Sequence, residues 1–599
     1  MAPLIRPSAC LTFAALLTAC GDNTGQSTAA ADPTNITSLD PGTSSGGGAS
    51  GGGTDAPTSG SASASASASG DPTTGGPDVC PKGKIVCDGP VAQVCDGMGG
   101  FSDETQCTGA CVAGIGCADC VPGSKKCDGQ NVLECNDAGD AWVDGGLCDP
   151  LLGLTCDPNG GGCQGACANL GSLSYIGCEY YPTVTQQYDI FDLSNPFAVA
   201  VSNAADETAM VTITRGDQLV AAVTVPAADV KVVTLPFVDA LIQGSGPTKH
   251  TKQGAYRLRS TRPVTVYQFM PLNAAQSNDA SLLLPVNAWT GTYVVASWPY
   301  WDDYLLPGFY AVVASRDNTI VKLKAPPGGT KVQAGGGLDA KGDGMALLNT
   351  GDVLTVVSAS GGDLTGSFIQ ADKPVQVIAG HECAQVPVGV VACDHLEESL
   401  FPFETLSGEY FVAPPVQTPD NAEEKAFFVR IVAAEDDTNI VYTPDQPAPK
   451  HLATAGEFIE IPTTAARFKI DADKRILVTQ YMVGQEAGYG TSDPAMVQAT
   501  PIRQYRDDYI VYANKLWNQN FADIIAPDGA EVTVDGVKIG KFTPIGAGYS
   551  LAHVELADTP TGSHTMTGTA KFSVSTYAVM DYGSYLYPGG LDLALLPPR

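Results

Sequence analysis

The sequence is poor in charge, and poorest in positive charge. Charged residues make up 16% of the 599, against roughly 25% in ordinary soluble domains. Lys and Arg number 32 against 64 Asp and Glu, for a formal charge of −32. That balance argues against nucleic-acid binding through phosphates, which needs clustered Lys and Arg. It argues equally against electrostatic attachment to anionic membrane surfaces. The apolar run from Ala9 to Leu17 is too short to cross a bilayer. Long amphipathic helical patterns are missing after residue 179. So are H-E-x-x-H, the P-loop and a nucleotide-binding G-x-G-x-x-G, and no cofactor or catalytic residue is expected. Gly42-Thr43-Ser44-Ser45-Gly46 fits G-x-S-x-G but lacks the strand–turn–helix that motif requires.

What is present in excess is cysteine. Of 18 cysteines, 14 fall between Cys80 and Cys178. Such crowding points to an oxidising compartment unless a metal holds it together. Zinc is disfavoured, because paired C-x-x-C knuckles and local His are absent. Two units are in register: Cys80, Cys87, Cys95, Cys107, Cys111 and Cys117, then Cys120, Cys127, Cys135, Cys148, Cys156 and Cys163. Cys87-Asp88-Gly89 matches Cys127-Asp128-Gly129, a pattern of tight Asp-Gly turns. A module of about 40 residues is too small for a self-sufficient core, so disulfides are the expected staple. The pairing within each unit stays open. Cys167 and Cys178 read as a clasp into the next domain.

The N-terminus reads as an address. Arg6, the apolar run and Leu17-Thr18-Ala19-Cys20-Gly21 resemble a bacterial lipoprotein signal, in which the peptide is cut before Cys20 and the thiol is lipidated. In double-membrane bacteria an Asp after that Cys favours the inner membrane; Gly21 implies the outer one. The expected domains are a signal over 1–19, a Gly/Ser/Ala/Thr-rich tether over 20–78, the cysteine-rich repeats over 79–168 and a β head over 169–599. The tether has almost nothing to bury.

The head reads as all-β, with short period-2 runs such as Thr319–Leu323 and Val353–Val357 between turn residues. Two elements recur four times. One is a charged turn before a strand: Thr261-Arg262-Pro263, Asp372-Lys373-Pro374, Asp473-Lys474-Arg475 and Thr569-Ala570-Lys571. The other places an acid before a strand: Asp206-Glu207-Thr208, Asp317-Asn318-Thr319, Asp436-Asp437-Thr438 and Asp528-Gly529. Apolar stretches close on Pro285, Pro402, Pro501 and Pro597. Four repeats of about 100 residues follow. Eight strands are expected in the second, at 292–298, 309–314, 319–325, 330–334, 345–349, 353–358, 363–370 and 374–380. Eight strands make two propeller blades or one sandwich; a propeller-like closed array is favoured over tandem β-sandwiches.

The second repeat also carries Leu364-Thr365-Gly366-Ser367-Phe368-Ile369, Gly380-His381-Glu382-Cys383 and Cys393-Asp394-His395-Leu396-Glu397-Glu398. With Gly177-Cys178-Glu179-Tyr180, this resembles the N-terminal domain of the IgGFc-binding protein family. Bacterial members often follow a lipoprotein signal and cysteine-rich repeats. The resemblance implies extracellular binding or adhesion, without catalytic residues.

Three sets of residues are candidates for a site. His381, Glu382, Cys383, Cys393, Asp394 and His395 have the composition of a metal cluster, but a Cys383–Cys393 disulfide is favoured and no metal is expected. That loop matches 270–280, 482–495 and 580–590, so equivalent loops would share one face, with Asp279, Asp394 and Asp493 lining it or forming turns. Trp298, Tyr300, Trp301, Asp302 and Tyr304 set aromatic rings beside carboxylates, which suits sugars; core packing is the plainer use. The reading that follows is a lipid-anchored, non-enzymatic binding protein at the bacterial outer membrane or cell surface, with a protein or glycan partner. A polysaccharide hydrolase and a structural envelope protein are the alternatives.

Overall fold

A computed structural model describes residues 80–170, 174–188, 196–242, 244, 246–273, 277–416 and 426–597. The expected signal, Cys20 and the tether lie outside them.

Each cysteine-rich unit folds as a three-stranded antiparallel sheet followed by a small hairpin. In the first the sheet strands are Ile85–Asp88, Val91–Cys95 and Phe101–Gln106; in the second, Lys125–Asp128, Asn131–Cys135 and Trp142–Leu147. Gly89 and Gly129 take φ of 57° and 62° in the first turn of each sheet, which a residue with a side chain adopts at a cost. The pairing is the same in both units: Cys80–Cys95, Cys87–Cys111 and Cys107–Cys117, then Cys120–Cys135, Cys127–Cys156 and Cys148–Cys163. Beyond the cysteines the buried apolar residues of the two modules are Ala92, Ala118 and Val132, so sulfur supplies most of each core. The second module docks on the head. Asp149 pairs with Arg259 at 3.0 Å, and Cys167 is bonded to Cys178 in the head's first strand.

The head contains four units built around four long strands: Arg257–Met270, Phe368–Gln385, Phe468–Met482 and Ser563–Met580. In the second unit, the first half of the long strand pairs with Thr290–Val294 and Thr319–Lys324. Its second half pairs with Gly308–Ala314 and Cys393–Ser399. The other units repeat this arrangement. The two half-sheets curl over a common core. On Gly308–Ala314, Tyr310, Val312 and Ala314 enter that core, while Ala311 and Val313 enter a second core shared among the units. Apolar side chains on both faces explain why the whole strand is buried. The closed array is therefore made of curled sandwiches rather than pairs of blades. The final strands, Asp279–Leu283, Cys393–Ser399, Met496–Gln498 and Gly583–Pro588, pack in ring order around the centre.

The expected charged turns are corrected by this pairing. The expected strands 363–370 and 374–380 fall on one strand that begins only at Phe368, and 330–334 contributes only an isolated bridge at Val332. Asp372-Lys373-Pro374 marks the point where the long strand crosses from one half-sheet to the other. There the two recurring sequence elements meet. Asp372 accepts from the Ile320 backbone N–H at 2.8 Å, and Lys373 donates to the Asp317 and Asn318 carbonyls. Asp473 and Lys474 do the same with Asn439 and Asp436. In the first and fourth units Thr261 and Thr569 take the acceptor role, toward Met210 and Glu531 N–H.

A candidate binding face above a buried acidic hub

The loops after the four long strands meet at one end of the ring. Cys383 is bonded to Cys393, stapling the second unit's hairpin. Gly484 N–H donates to Val386 O at 2.8 Å and Glu486 N–H to Val391 O at 2.7 Å, so the third loop braces the second. Gln485 reaches onward to the fourth: its amide donates to Asp581 at 2.7 Å and its oxygen accepts from Tyr582 N–H. Beside the stapled hairpin rises a tight turn in which Trp301 and Leu306 exchange backbone hydrogen bonds. At its tip Tyr304 and Leu305 are each 58% exposed, with Asp302 and Asp303 also in solvent. The Trp301 and Tyr304 rings lie 4.4 Å apart.

The expected aromatic set is thereby divided. Trp301, Asp302 and Tyr304 reach solvent, whereas Tyr300 is largely buried and Trp298 is a core residue. The Trp298 indole donates to Gln385 O at 2.9 Å and lies under the Arg430 guanidinium, 4.3 Å from the ring centre. It joins the second unit to the third. His381, Asp394 and His395 have no exposed surface, so they cannot touch a ligand that approaches the loop face.

Asp279, Asp394 and Asp493 do not line the face either; they sit beneath it. Asp279 accepts from the backbone N–H groups of Glu397, Met496 and Leu586, each at 3.1 Å, and of Ala280 at 2.9 Å. One carboxylate thus binds the final strands of all four units. Asp394 accepts from Asn278 and Ser584 N–H, tying the first and fourth loops to the second. Glu398 accepts from Gln498 N–H and the Ser281 hydroxyl. Glu397 accepts from Thr185 and Gln268, and Thr185 also contacts His395 at 3.1 Å. Burial pushes the carboxyls of Asp279, Asp394 and Glu398 well above their ordinary range, and at Asp394 the neighbouring Asp493 and Asp279 push further. Burial pushes His381 down to about 3, and its Nδ1 accepts from Cys383 N–H.

Among the described residues no three His, Cys, Asp or Glu side chains come together to hold a metal ion. The bonded cysteines have no thiolates to offer. Local sequence reading missed the hub partners Thr185, Gln268 and Gln498: the two glutamines are polar residues within largely apolar strand stretches, Thr185 lies in an irregular segment, and none carries a spacing signal. It also missed four tyrosines. Tyr180, Tyr293, Tyr410 and Tyr509 each donate to a carbonyl on their unit's long strand, at Val264, Val375, Ile476 and Phe572. Their recurrence just inside the first strand of each unit was the available signal.

These features define a disulfide-rich, all-β repeat protein whose loops are braced into one face. Residues 279–578 match the family model described as IgGFc binding protein, and the chain belongs to that family. Human IgGFc-binding protein is 26% identical over 243 residues, a stretch equal to 39% of this chain and 4% of the human protein. The chain therefore matches only a small part of that relative's length.

Proposed function

We propose that this chain is an extracytoplasmic binding protein, lipid-anchored through Cys20 at the bacterial outer membrane or cell surface, and that it does not catalyse a reaction. The observation that carries the reading is the brace of loops above the hub, with the exposed Trp301–Leu305 turn beside the Cys383–Cys393 staple. Loops held by a rigid scaffold are the usual location of recognition. Aromatic and aliphatic side chains at a tip supply contact area that polar loops lack. The pairing of 16 cysteines into eight disulfides supports an oxidising compartment. The human relative's name says that it binds the Fc of IgG; what carries over is recognition of a protein or glycan, not Fc itself.

The test has two arms. The full chain is screened against glycans and envelope proteins, alongside hydrolase assays. Binding that falls on Tyr304→Ser with Leu305→Ser, without turnover, is the expected result; turnover of a glycan overturns it. In cells, Cys20→Ala is expected to abolish acyl labelling and release the protein from membranes, and unchanged retention overturns the anchor.

A further inference from the structure

The outer sheet face of the second unit carries a patch that the loop face does not use. On Thr319–Lys324 the side chains alternate, with Ile320, Lys322 and Lys324 exposed. Ile320 lies opposite Leu347, and Lys322 opposite Met345. Directly opposed residues share a face. Ile320, Met345 and Leu347 are 39%, 57% and 53% exposed, so three aliphatic side chains lie open beside two ammonium groups. The patch runs into a groove of about 900 Å³ between the second and third units, lined by Lys322, Lys324, Lys341, Pro326, Phe368 and Asp436.

Charge sets this surface apart. In a chain of formal charge −32, Lys322, Lys324 and Lys341 form no ion pair among the described residues. Of the charged residues lining the groove, Asp343 and Asp436 accept from Ala325 N–H at 3.0 Å and Ala455 N–H at 2.8 Å and keep their charge, so three ammonium groups face two carboxylates there. The equivalent faces of neighbouring units lack the lysines. The first has Met210, Thr212 and Thr214 in these positions, and the third has Asn439, Val441 and Thr443.

The geometry points to a docking surface for an extended, acidic segment of another protein. Its carboxylates would meet Lys322 and Lys324, and an apolar side chain would meet Ile320, Met345 and Leu347. Lys322 and Lys324 stand two strand residues apart, about 7 Å, which is also the spacing of alternate residues in an extended partner. The exposed patch of Ile320, Met345 and Leu347 has no aromatic ring, and Phe368 in the adjoining groove is half-buried, which favours a polypeptide over an acidic polysaccharide, because sugar rings stack on aromatic faces. The inference stands apart from the loop-face reading, and its test does not involve Tyr304 or Leu305.

The experiment uses the full chain and a fluorescein-labelled peptide carrying Leu, Glu and Glu at alternate positions, read by anisotropy. Saturable binding is expected. It should weaken about tenfold or more on Lys322→Glu with Lys324→Glu, because like charges then oppose each other. Lys322→Gln with Lys324→Gln should weaken it less, and Met345→Ser with Leu347→Ser should also weaken it, each variant being checked for an unchanged melting temperature. Leu219→Ser, on the first unit, should leave binding as it was. Absence of binding, indifference to lysine reversal, equal binding of a Gln-for-Glu peptide, or tighter binding of polygalacturonate would each overturn the inference.

Discussion

Asp279 receives backbone N–H groups from its own strand and from the final strands of the other three units. Asp279→Ala removes the acceptor and leaves three inter-unit donors buried without it. At about 1–3 kcal/mol per orphaned group, the loss should be about 3 kcal/mol or more, read from urea unfolding. The hub also fixes a pH dependence. The folded-state pKa values of Asp279, Asp394 and Glu398 lie above their unfolded values. Their stabilising contribution is therefore complete below the ordinary carboxylate range and is lost as pH rises through the folded values. His381, pushed down to about 3, opposes this, because its contribution is lost as pH falls below its ordinary value. The carboxyl part is read by comparison: the protein should gain more stability toward urea, as pH falls toward the ordinary carboxylate range, than Asp394→Asn with Glu398→Gln does; an equal gain in both would mean that the hub is ionised in the folded state. At this scale the sequence named Asp394 and His395 without revealing their burial, because the covering residues lie in other units.

Among the elements, Asp372-Lys373-Pro374 has the composition of a turn yet lies inside a strand. Charge and proline are local signs of a turn, and Pro cannot donate to a ladder. Here, as at Pro263, it sits where the strand changes partners, so the strand continues through it. By contrast, alternation was legible in Thr319–Lys324, which is buried and exposed by turns. Units two and three join through glycine backbones: a Cβ added to Gly366 would lie 1.9 Å from Gly456 O, and Gly366 has φ of 85°. Gly366→Ala should therefore destabilise by about 2–5 kcal/mol, combining left-handed strain with overpacking. Thermal melting of the variant checks this, and an unchanged melting temperature would mean that the joint yields easily.

Across the whole molecule, one buried core draws side chains from every unit, from Tyr175 through Val313 and Phe428 to Leu593. The head should then unfold in one calorimetric transition rather than four. Tyr267 helps to close the ring, its hydroxyl donating to Ile510 O and Gly589 O at 2.8 and 2.9 Å. Tyr267→Phe should cost about 1–3 kcal/mol and lower that single transition without splitting it. Separate transitions would mean that the units fold independently.

The sequence alone determined the disulfide-rich modules, the all-β head, its four repeats and the resemblance to the IgGFc-binding family, because composition, period and recurrence are properties of the chain itself. Tertiary structure decided which cysteines pair within the two modules, that Asp279 and Asp394 lie beneath the loop face instead of on it, and that Trp298 belongs to the core. Those outcomes depend on which distant strands cover a residue, and a chain with few charges offers little local sign of where its buried ones lie.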